Sequence, residues 1–447
     1  MDNIVFLALK KPILNRFLKR KLTGLGRIAM RLGLLASLFT YASAHAQSAN
    51  LSWQEAARLT LEQSPSLTAF GYELDAQAGR IQQAGLKPNP ELSLTVEDAA
   101  GSGDFKSMDS AETTLAISWI LEGTQRRERV KAAEAANAVL TAERDIKRLD
   151  ALASTARWYA QAMALQAQAK QAQSALATAE EAVKFIGQRV RVGNSPAAEL
   201  ARAEVELANR RLEREDISHE QAIAHRQLAA QWGETRVPFT AVAADINQIP
   251  ASLSFAELQA RLQQHPRLQF LVTRERLEES RIALAQSQGK AQWHVSAGIK
   301  QLAATDDQAL VAGVSVPLTV FDRQQGRVIE ARALAALSRA EREAEQIALD
   351  TAVFSLHQEF THSLHRLQSY RTQIIPALEN ALKETRRAYD SGRYSYQEWV
   401  GVQRELSSAQ QQYLDTALAA HLQSIEIERL TGISINAIAA TRSAISE

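Results

Sequence analysis

Three histidines in one predicted helix are the side chains of this chain that are best suited to metal chemistry. His357, His362 and His365 form the only histidine cluster in the sequence, and the last two lie on one helical face because they are three residues apart. Imidazole nitrogens bind Zn²⁺ and Ni²⁺. No carboxylate spacing completes a dedicated site, however, so we predict no resident metal and favour the interpretation that these are polar residues on a helix surface.

Other reactive residue patterns are missing from the sequence. It has no cysteine, which excludes disulfides, thiolate metal sites and cysteine nucleophiles. It also lacks a phosphate-binding glycine loop and the HExxH and GxSxG motifs. Its carboxylates alternate with Arg and Lys, as they do on solvated helix faces. We therefore predict that the protein is not an enzyme and needs no cofactor.

The N-terminus has the pattern of an export signal. Arg31 is followed by an apolar run over 32–39 and then by Ala44-His45-Ala46, a small-x-small cleavage site. We predict a signal peptide over 1–46, in which 1–29 is an upstream extension if Met30 is the true start. Cleavage removes eight basic residues and one acidic residue, so the net charge falls from +1 to about −6. This weak, interspersed charge predicts no nucleic-acid partner.

Four short segments alternate apolar and polar residues with the period of a β-strand. We predict strands over about 90–98 and 112–120, and again over about 291–301 and 309–317. Each pair forms a hairpin with one apolar and one polar face. Such alternation is typical of membrane strands that face lipid on one side and an aqueous lumen on the other.

Long helices with heptad spacing make up most of the remaining chain, as in coiled coils. One pair breaks at Gly193 and the other at Gly392. Each break is followed by a glutamate, Glu199 or Glu398, and both the glycines and the glutamates are 199 positions apart. We infer an internal duplication: a first repeat over 47–232, a linker over 233–252, a second repeat over 253–431 and a tail over 432–447. The predicted fold class is mainly α with a small β part.

Four strands cannot close a barrel, and an open sheet edge in lipid would leave backbone groups without hydrogen bonds. Other copies must then supply strands. Three copies give twelve strands around a lumen, continued by a tube of helices. The alternative is a periplasmic protein in which soluble hairpins pack on the helices.

Two motifs resemble one family closely. They are Gln83-Ala84-Gly85-Leu86-Lys87-Pro88-Asn89-Pro90-Glu91 before the first strand, and Val316-Pro317-Leu318 followed by Phe321-Asp322-Arg323-Gln324-Gln325-Gly326 after the fourth. The sequence resembles the TolC-like outer-membrane factors over almost its whole mature length, and within them the components of cobalt-zinc-cadmium and cobalt-nickel resistance systems.

This resemblance implies a homotrimeric duct with a twelve-stranded β-barrel in outer-membrane lipid and an α-helical tunnel in the periplasm. It also implies two protein partners, a periplasmic adaptor and an inner-membrane resistance-nodulation-division transporter, and a belt built from 233–251 and the C-terminal tail. The expected function is export of divalent cobalt, zinc, cadmium or nickel. A drug or organic-solute duct and a non-channel coiled-coil scaffold in the periplasm are the alternatives.

In this family the helix breaks form the periplasmic tip, where the tube narrows and the adaptor docks. The resemblance therefore assigns the tip to Gly193, Glu199, Gly392, Arg393 and Glu398. A ring of three carboxylates in a narrow pore would attract cations and repel itself. The alternative for both glutamates is a surface residue that is favoured by the dipole at a helix N-terminus.

The connections from strand to helix are the second set of site residues. We predict that Gly123, Pro317 and Asp322 form these corners. Pro317 would end the fourth strand because proline donates no hydrogen bond to the ladder, and Asp322 would cap the helix that follows. The first corner departs from the family pattern, because Ile120 stands where proline is usual.

Overall fold

The structure is a computed structural model that describes residues 50–432. The chain divides into two units, residues 1–48 and 49–447, and only the second contains described residues. The predicted signal peptide and almost all of the predicted tail lie outside them. Nine α-helices lie within 50–432: α1 Trp53–Gln63, α2 Pro65–Gly85, α3 Gln125–Arg191, α4 Ala197–Ala230, α5 Phe255–Leu262, α6 Pro266–Gln288, α7 Gln325–Ser369, α8 Ile375–Asp390 and α9 Tyr396–Thr431.

Six strands accompany the helices: β1 Asn50–Leu51, β2 Glu91–Glu97, β3 Glu112–Leu121, β4 Ala241–Val242, β5 Trp293–Leu302 and β6 Asp307–Ser315. The strands β2, β3, β5 and β6 form one antiparallel sheet in that order. The short strands β1 and β4 pair in parallel. The predicted fold class, mainly helical with a small β part, is confirmed.

The strand pairing places the apolar faces of all four strands on the same side of the sheet. Leu94 pairs with Leu115, Leu115 with Ile299, and Ile299 with Leu310, so one apolar row crosses all four strands. Leu310 is 89% exposed, and the other apolar side chains of this row are exposed as well. The opposite face carries small and polar residues, among them Ser118, Ser296 and Gly313. One face of the sheet is therefore an uncovered apolar surface.

Local sequence signals explain where the first helices begin and end. The Ser52 hydroxyl accepts the Glu55 amide and caps α1. Pro65 starts α2 at its first position, where a missing N–H costs nothing. The predicted split at Pro65 is thus present, and α2 ends at Gly85, two residues before the Lys87-Pro88 turn.

The 67-residue α3, about 100 Å long, organises the other helices. Near the sheet the packing order is α2–α3–α6–α7, and toward the helix breaks it is α4–α3–α9, with α7 and α8 packed beyond α9. The order α2–α3–α6–α7 runs parallel to the strand order β2–β3–β5–β6. One side of the molecule therefore carries β2, α2 and α4, and the other carries β6, α7 and α8.

The main core lies midway along α3. Its centre is a run of buried alanines and Tyr159 on α3, packed against α1, α5, α9 and the segment 233–251. The Tyr159 hydroxyl donates to the Leu51 carbonyl at 3.0 Å, and its ring meets Trp53 edge-on at 5.9 Å. Small residues let helix backbones approach closely, which is why this core is rich in alanine. The predicted linker is thus packed against the helices.

One predicted helix is interrupted in the structure. The sequence pattern predicts a continuous helix from Arg323 to about Asp390, but a π-helical turn over Tyr370–Ile374 separates α7 from α8. Pro376 explains the interruption because it lacks the N–H that an α-helix needs four residues after Thr372. The predicted helix therefore extends to Asp390 as expected, but its α-helical hydrogen bonding is interrupted by one π-helical turn.

Within residues 50–432, no helix is both long and apolar enough to cross a membrane.

Candidate functional site

The two helix breaks have the same backbone geometry. Gly193 and Gly392 adopt the left-handed conformation, with φ of +77° and +75°. The residue after each glycine donates its N–H back into the preceding helix, Asn194 to Arg189 and Arg393 to Ala388, at 2.8 and 2.9 Å. This arrangement satisfies the last carbonyls of a helix and favours glycine at the turn. Each break therefore forms a compact reversal that joins two antiparallel helices.

The two hairpins, α3–α4 and α8–α9, pack side by side near their breaks. A second hydrophobic cluster joins them there, and we call it the tip cluster: Ala182, Ile186, Ala203, Tyr389, Tyr396, Trp399 and Val400. The Tyr389 ring stacks on Trp399 at 5.5 Å, and the Arg189 guanidinium lies 4.9 Å from the centre of the Tyr389 ring. A cation over an aromatic face is attracted to it. The cation–π contact thus joins the two hairpins, and the stacked rings join the two helices of the second hairpin.

Glu199 contributes to the contact between the hairpins. It lies in the first turn of α4, and its Oε2 accepts a hydrogen bond of 3.1 Å from the Tyr389 hydroxyl of α8. Burial raises the pKa of Tyr389, and the adjacent Glu199 carboxylate raises it further. The phenol therefore stays protonated and remains a donor at neutral pH. Glu199 is half-buried and bonded across the interface.

Glu398 has a different environment. Its Oε2 accepts from the Ser395 backbone N–H at 2.6 Å and from the Ser395 hydroxyl at 2.9 Å, and its own N–H donates to Ser395 Oγ. This capping box closes the N-terminus of α9. The two Ser395 hydrogen bonds lower the pKa of Glu398. The exposed Glu398 is ionised at neutral pH, and nearby Arg393 is also exposed and donates to Ser391 Oγ.

An ion-pair network that sequence reasoning missed lies one to two turns farther from the breaks. Glu206 of α4 is buried and accepts from Arg210 of its own helix and from Arg404 of α9, each at a shortest distance of 2.7–2.8 Å. Burial opposes ionisation of Glu206, but the hydrogen bonds from Arg404 and Arg210 outweigh it and lower the pKa. The sequence shows Glu206 only as the counterpart of Glu405, which is exposed.

The predicted histidine cluster does not assemble a metal site. His357 is half-buried against the Phe255 ring at 6.0 Å, whereas His362 and His365 are exposed. Among residues 50–432, no three or more His, Asp or Glu side chains are placed to share a metal ion. These three histidines are therefore surface and core-edge residues of one helix in the described part of the chain.

The two strand-to-helix corners differ in length and construction. Gly123 turns the first with φ of +55°, and the connection from β3 to α3 takes only three residues. The second connection, from β6 to α7, takes nine residues and contains Pro317. Asp322 was predicted to cap α7, but the cap position is Gln324 in a left-handed conformation. Asp322 stands two residues before the cap position, and it accepts the Gln324 backbone N–H at 2.8 Å instead.

Comparison with known proteins gives consistent matches. Residues 56–234 match the family model described as outer membrane efflux protein. The cobalt-zinc-cadmium resistance protein CzcC of Cupriavidus metallidurans is 26% identical over 386 residues, which are 86% of this chain and 90% of that protein. Among solved structures, CusC superposes with a TM-score of 0.71 at 16% identity, covering 86% of this chain and 92% of that one. VceC of Vibrio cholerae superposes with a TM-score of 0.69 at 19% identity, covering 86% and 96%.

Proposed function

We propose that the chain belongs to the outer membrane efflux protein family, whose model matches residues 56–234, and that it is the outer-membrane duct of a tripartite system that exports divalent heavy-metal cations. That it is an outer-membrane efflux channel follows from the family. The metal cargo rests on one observation, the similarity to a cobalt-zinc-cadmium resistance protein over 86% of the chain.

The proposed assembly is a homotrimer. The sheet has two outer strands, β2 and β6, and they run in opposite directions because three antiparallel pairings separate them. When β6 of one copy meets β2 of the next, the added pairing is also antiparallel. Three copies then close twelve strands, the apolar face turns outward to lipid, and the polar face lines the lumen.

Exposed apolar residues on both sides of the helical part support the same closure. Val205 and Leu212 are exposed on α4, seven residues apart, and Ile347 and Phe354 are exposed on α7 at the same spacing. Residues seven apart share one helix face and form a coiled-coil seam. Because α4 and α7 lie on opposite sides of the chain, each seam would be covered by a neighbouring copy.

We propose that the two hairpin breaks form the periplasmic end, where the adaptor docks and the pore narrows. Glu199 is bonded to Tyr389 of the other hairpin, whereas the Glu398 carboxylate is exposed and bonded only within its own helix cap. Three exposed, ionised Glu398 side chains around a narrow pore would favour cations over anions. The inner-membrane transporter and the adaptor are the further proposed partners, and export through a cleaved signal over 1–46 is part of the same proposal.

Deletion of the gene tests the cargo. Expression of the chain from a plasmid should restore tolerance to cobalt, zinc, cadmium or nickel in the deletion strain, while tolerance to hydrophobic drugs should be the same with and without it. The opposite pattern, with drug tolerance lost and metal tolerance unchanged, would identify an organic-solute duct instead. A chain recovered as a soluble periplasmic monomer would contradict the channel assembly itself.

A further inference from the structure

The long second corner presents two apolar side chains that nothing in the same chain covers. The corner is the connection 316–324, and in it Leu318 is 84% exposed and Phe321 is 92% exposed. Large apolar side chains this exposed mark a contact surface when they stand together on a defined backbone. The three-residue first corner has no counterpart of this projection.

The backbone of this corner is held in place by the chain around it. Arg323 Nε donates to the Thr319 carbonyl and Gln325 Nε2 to the Phe321 carbonyl, both at 3.2 Å. Gly289, just after α6, lies so close that a Cβ there would be 2.4 Å from the Arg323 carbonyl oxygen. The corner is therefore fastened to the end of α6, and Phe321 projects from a fixed loop.

A surface cavity of about 500 Å³ lies at the first corner, where α2 ends and α3 begins. Its apolar lining comes from Ala84, Leu86 and Pro88. The polar lining comes from Arg80, Gln83, Lys87, Glu122 and Arg129. Arg129 fixes this wall, because it donates to the carbonyls of Ala84 and Leu86 at 2.8 and 2.9 Å and to Glu122 at 2.7 Å. The cavity is thus preformed and rimmed by guanidinium groups that can face an aromatic ring.

The projection and the cavity lie at the same level of the molecule and near its opposite sides. Pro88 shortly precedes β2, Glu122 follows β3, and Phe321 follows β6, all at the end of the sheet that joins the helices. The outer strands β2 and β6 are three strand spacings apart, about 14 Å. Within one chain the two features are therefore separated, and in a closed ring the corner after β6 comes next to the α2 end and β2 of the neighbouring copy.

We propose that Phe321 of one copy inserts into the cavity lined by Leu86 and Pro88 of the next copy, and that this contact sets the register between subunits where sheet and helices meet. The inference rests on the proposed trimer, to which it adds the contact that fixes the corners. Three such insertions close the ring. The ring of Phe321 loses its contact with water, and Leu318 extends the same contact along the neighbouring α2.

Disulfide crosslinking tests the insertion directly, because the chain has no native cysteine. The full-length double variant Leu86→Cys/Phe321→Cys is oxidised in outer membranes and separated on a denaturing gel without reductant. We expect a band at three times the monomer mass that disappears on reduction. A bridge within one chain would leave the mass of the monomer unchanged, so the trimer band reports only bridges between copies.

The matched control is Leu86→Cys/Gln308→Cys. Gln308 is exposed on β6, the same outer strand, but about 23 Å from its helix-proximal end at 3.3 Å per residue. It should give no crosslinked trimer. If the Leu86→Cys/Phe321→Cys variant forms a native trimer but no disulfide between copies, the proposed insertion is wrong and the proposed trimer still holds. Absence of any trimer, including with a non-specific crosslinker, would contradict the proposed assembly instead.

A second variant keeps the inference testable if the double variant is poorly assembled. Phe321→Ser should lower the temperature at which the trimer dissociates in detergent, whereas Phe105→Ser, in the exposed loop at the opposite end of the sheet, should leave it unchanged. Equal dissociation temperatures for wild type and Phe321→Ser would overturn the insertion. So would quenching of a fluorophore on Phe321→Cys by brominated lipid, since that result would place the side chain in the bilayer.

Discussion

Removal of the Glu206 carboxylate should weaken the contact between the two hairpins by a measurable amount. Glu206 joins α4 to α9 through Arg404 and is held in position by Arg210. The Glu206 and Arg210 side chains are 11% and 16% exposed, whereas that of Arg404 is 61% exposed. The network is therefore largely shielded on the α4 side and open to solvent on the α9 side.

The exposure of the partners sets the expected magnitude. Hydrogen bonds to charged groups contribute about 1.5–3 kcal/mol, but exposed ion pairs contribute only about 0.2–1 kcal/mol because water screens them. Arg404 belongs to the exposed class, so Arg404→Met should cost about 1 kcal/mol of contact free energy. Glu206→Gln should cost about 2 kcal/mol, since it weakens both arginine contacts in a partly buried site. Arg210 keeps its bond to Glu213 at 2.7 Å, which limits the loss.

Amide hydrogen exchange of 182–210 in the assembled protein measures this contact. The population in which the hairpins are apart should rise about fivefold in Arg404→Met and about thirtyfold in Glu206→Gln, at 1.4 kcal/mol per factor of ten. Adding Arg404→Met to Glu206→Gln should change little more, because both remove the same interaction. The control is Arg211→Met, whose pair with Glu180 is exposed on both sides. Additive effects of Glu206→Gln and Arg404→Met would refute the direct pairing.

Three further predictions concern the two hairpins and the contact between His421 and the segment 233–251. Glu398→Gln should reduce cation selectivity in planar bilayers, whereas Ser395→Ala, which destabilises the same helix cap by about 1 kcal/mol, should keep the wild-type selectivity. Equal selectivity of wild type and Glu398→Gln would show that Glu398 does not line the pore. Gly392→Ala should destabilise the second hairpin by about 1–2 kcal/mol, because Gly392 has a φ of +75°. Its unfolding temperature should be lower than that of the control Gly401→Ala, which changes a helical glycine with open space around it. Burial lowers the pKa of His421, which hydrogen-bonds the Ile246 carbonyl at 3.0 Å and faces Asp245. The free energy of unfolding should therefore be highest above about pH 6.5 and fall as the pH drops toward the pKa of His421 in the folded protein. An equal loss of stability in acid for His421→Gln would contradict this assignment.

The strands could be predicted from sequence because their signal is local. Alternation over Glu91–Glu97 fixes which side chains share a face, and a one-residue shift would move Leu92 and Leu94 to the polar side. The helix breaks are equally local, since a left-handed turn favours glycine at Gly193 and Gly392. The same reasoning placed Asp322 wrongly as a cap, because it could not foresee that Gln324 would adopt a left-handed conformation and supply the cap position.

Contacts between the hairpins could not be predicted because they depend on how two coiled coils are aligned along each other. Glu206 and Arg404 are 198 residues apart, and either could have pointed to solvent. The π-turn at Tyr370–Ile374 was missed for a different reason. The apolar spacing continues through the π-turn, since Ile374 and Leu378 stay in register, so the periodicity does not reveal the change in backbone hydrogen bonding. Only Pro376 indicates it in the sequence.

Glutamates at matching positions in the two halves, 199 residues apart, have different environments. The position of α3 explains this difference. This helix packs against α4, α6 and α9 and is continuous over 67 residues, whereas the corresponding α7 and α8 lie on the outer side of the chain and are separated by the π-turn. Glu199 and Glu206 therefore meet partners from the second hairpin, Tyr389 and Arg404, while Glu398 and Glu405 remain exposed. An acidic residue at matched positions thus joins the hairpins in the first half and faces solvent in the second, so the two cannot be assigned one role by their spacing from the breaks.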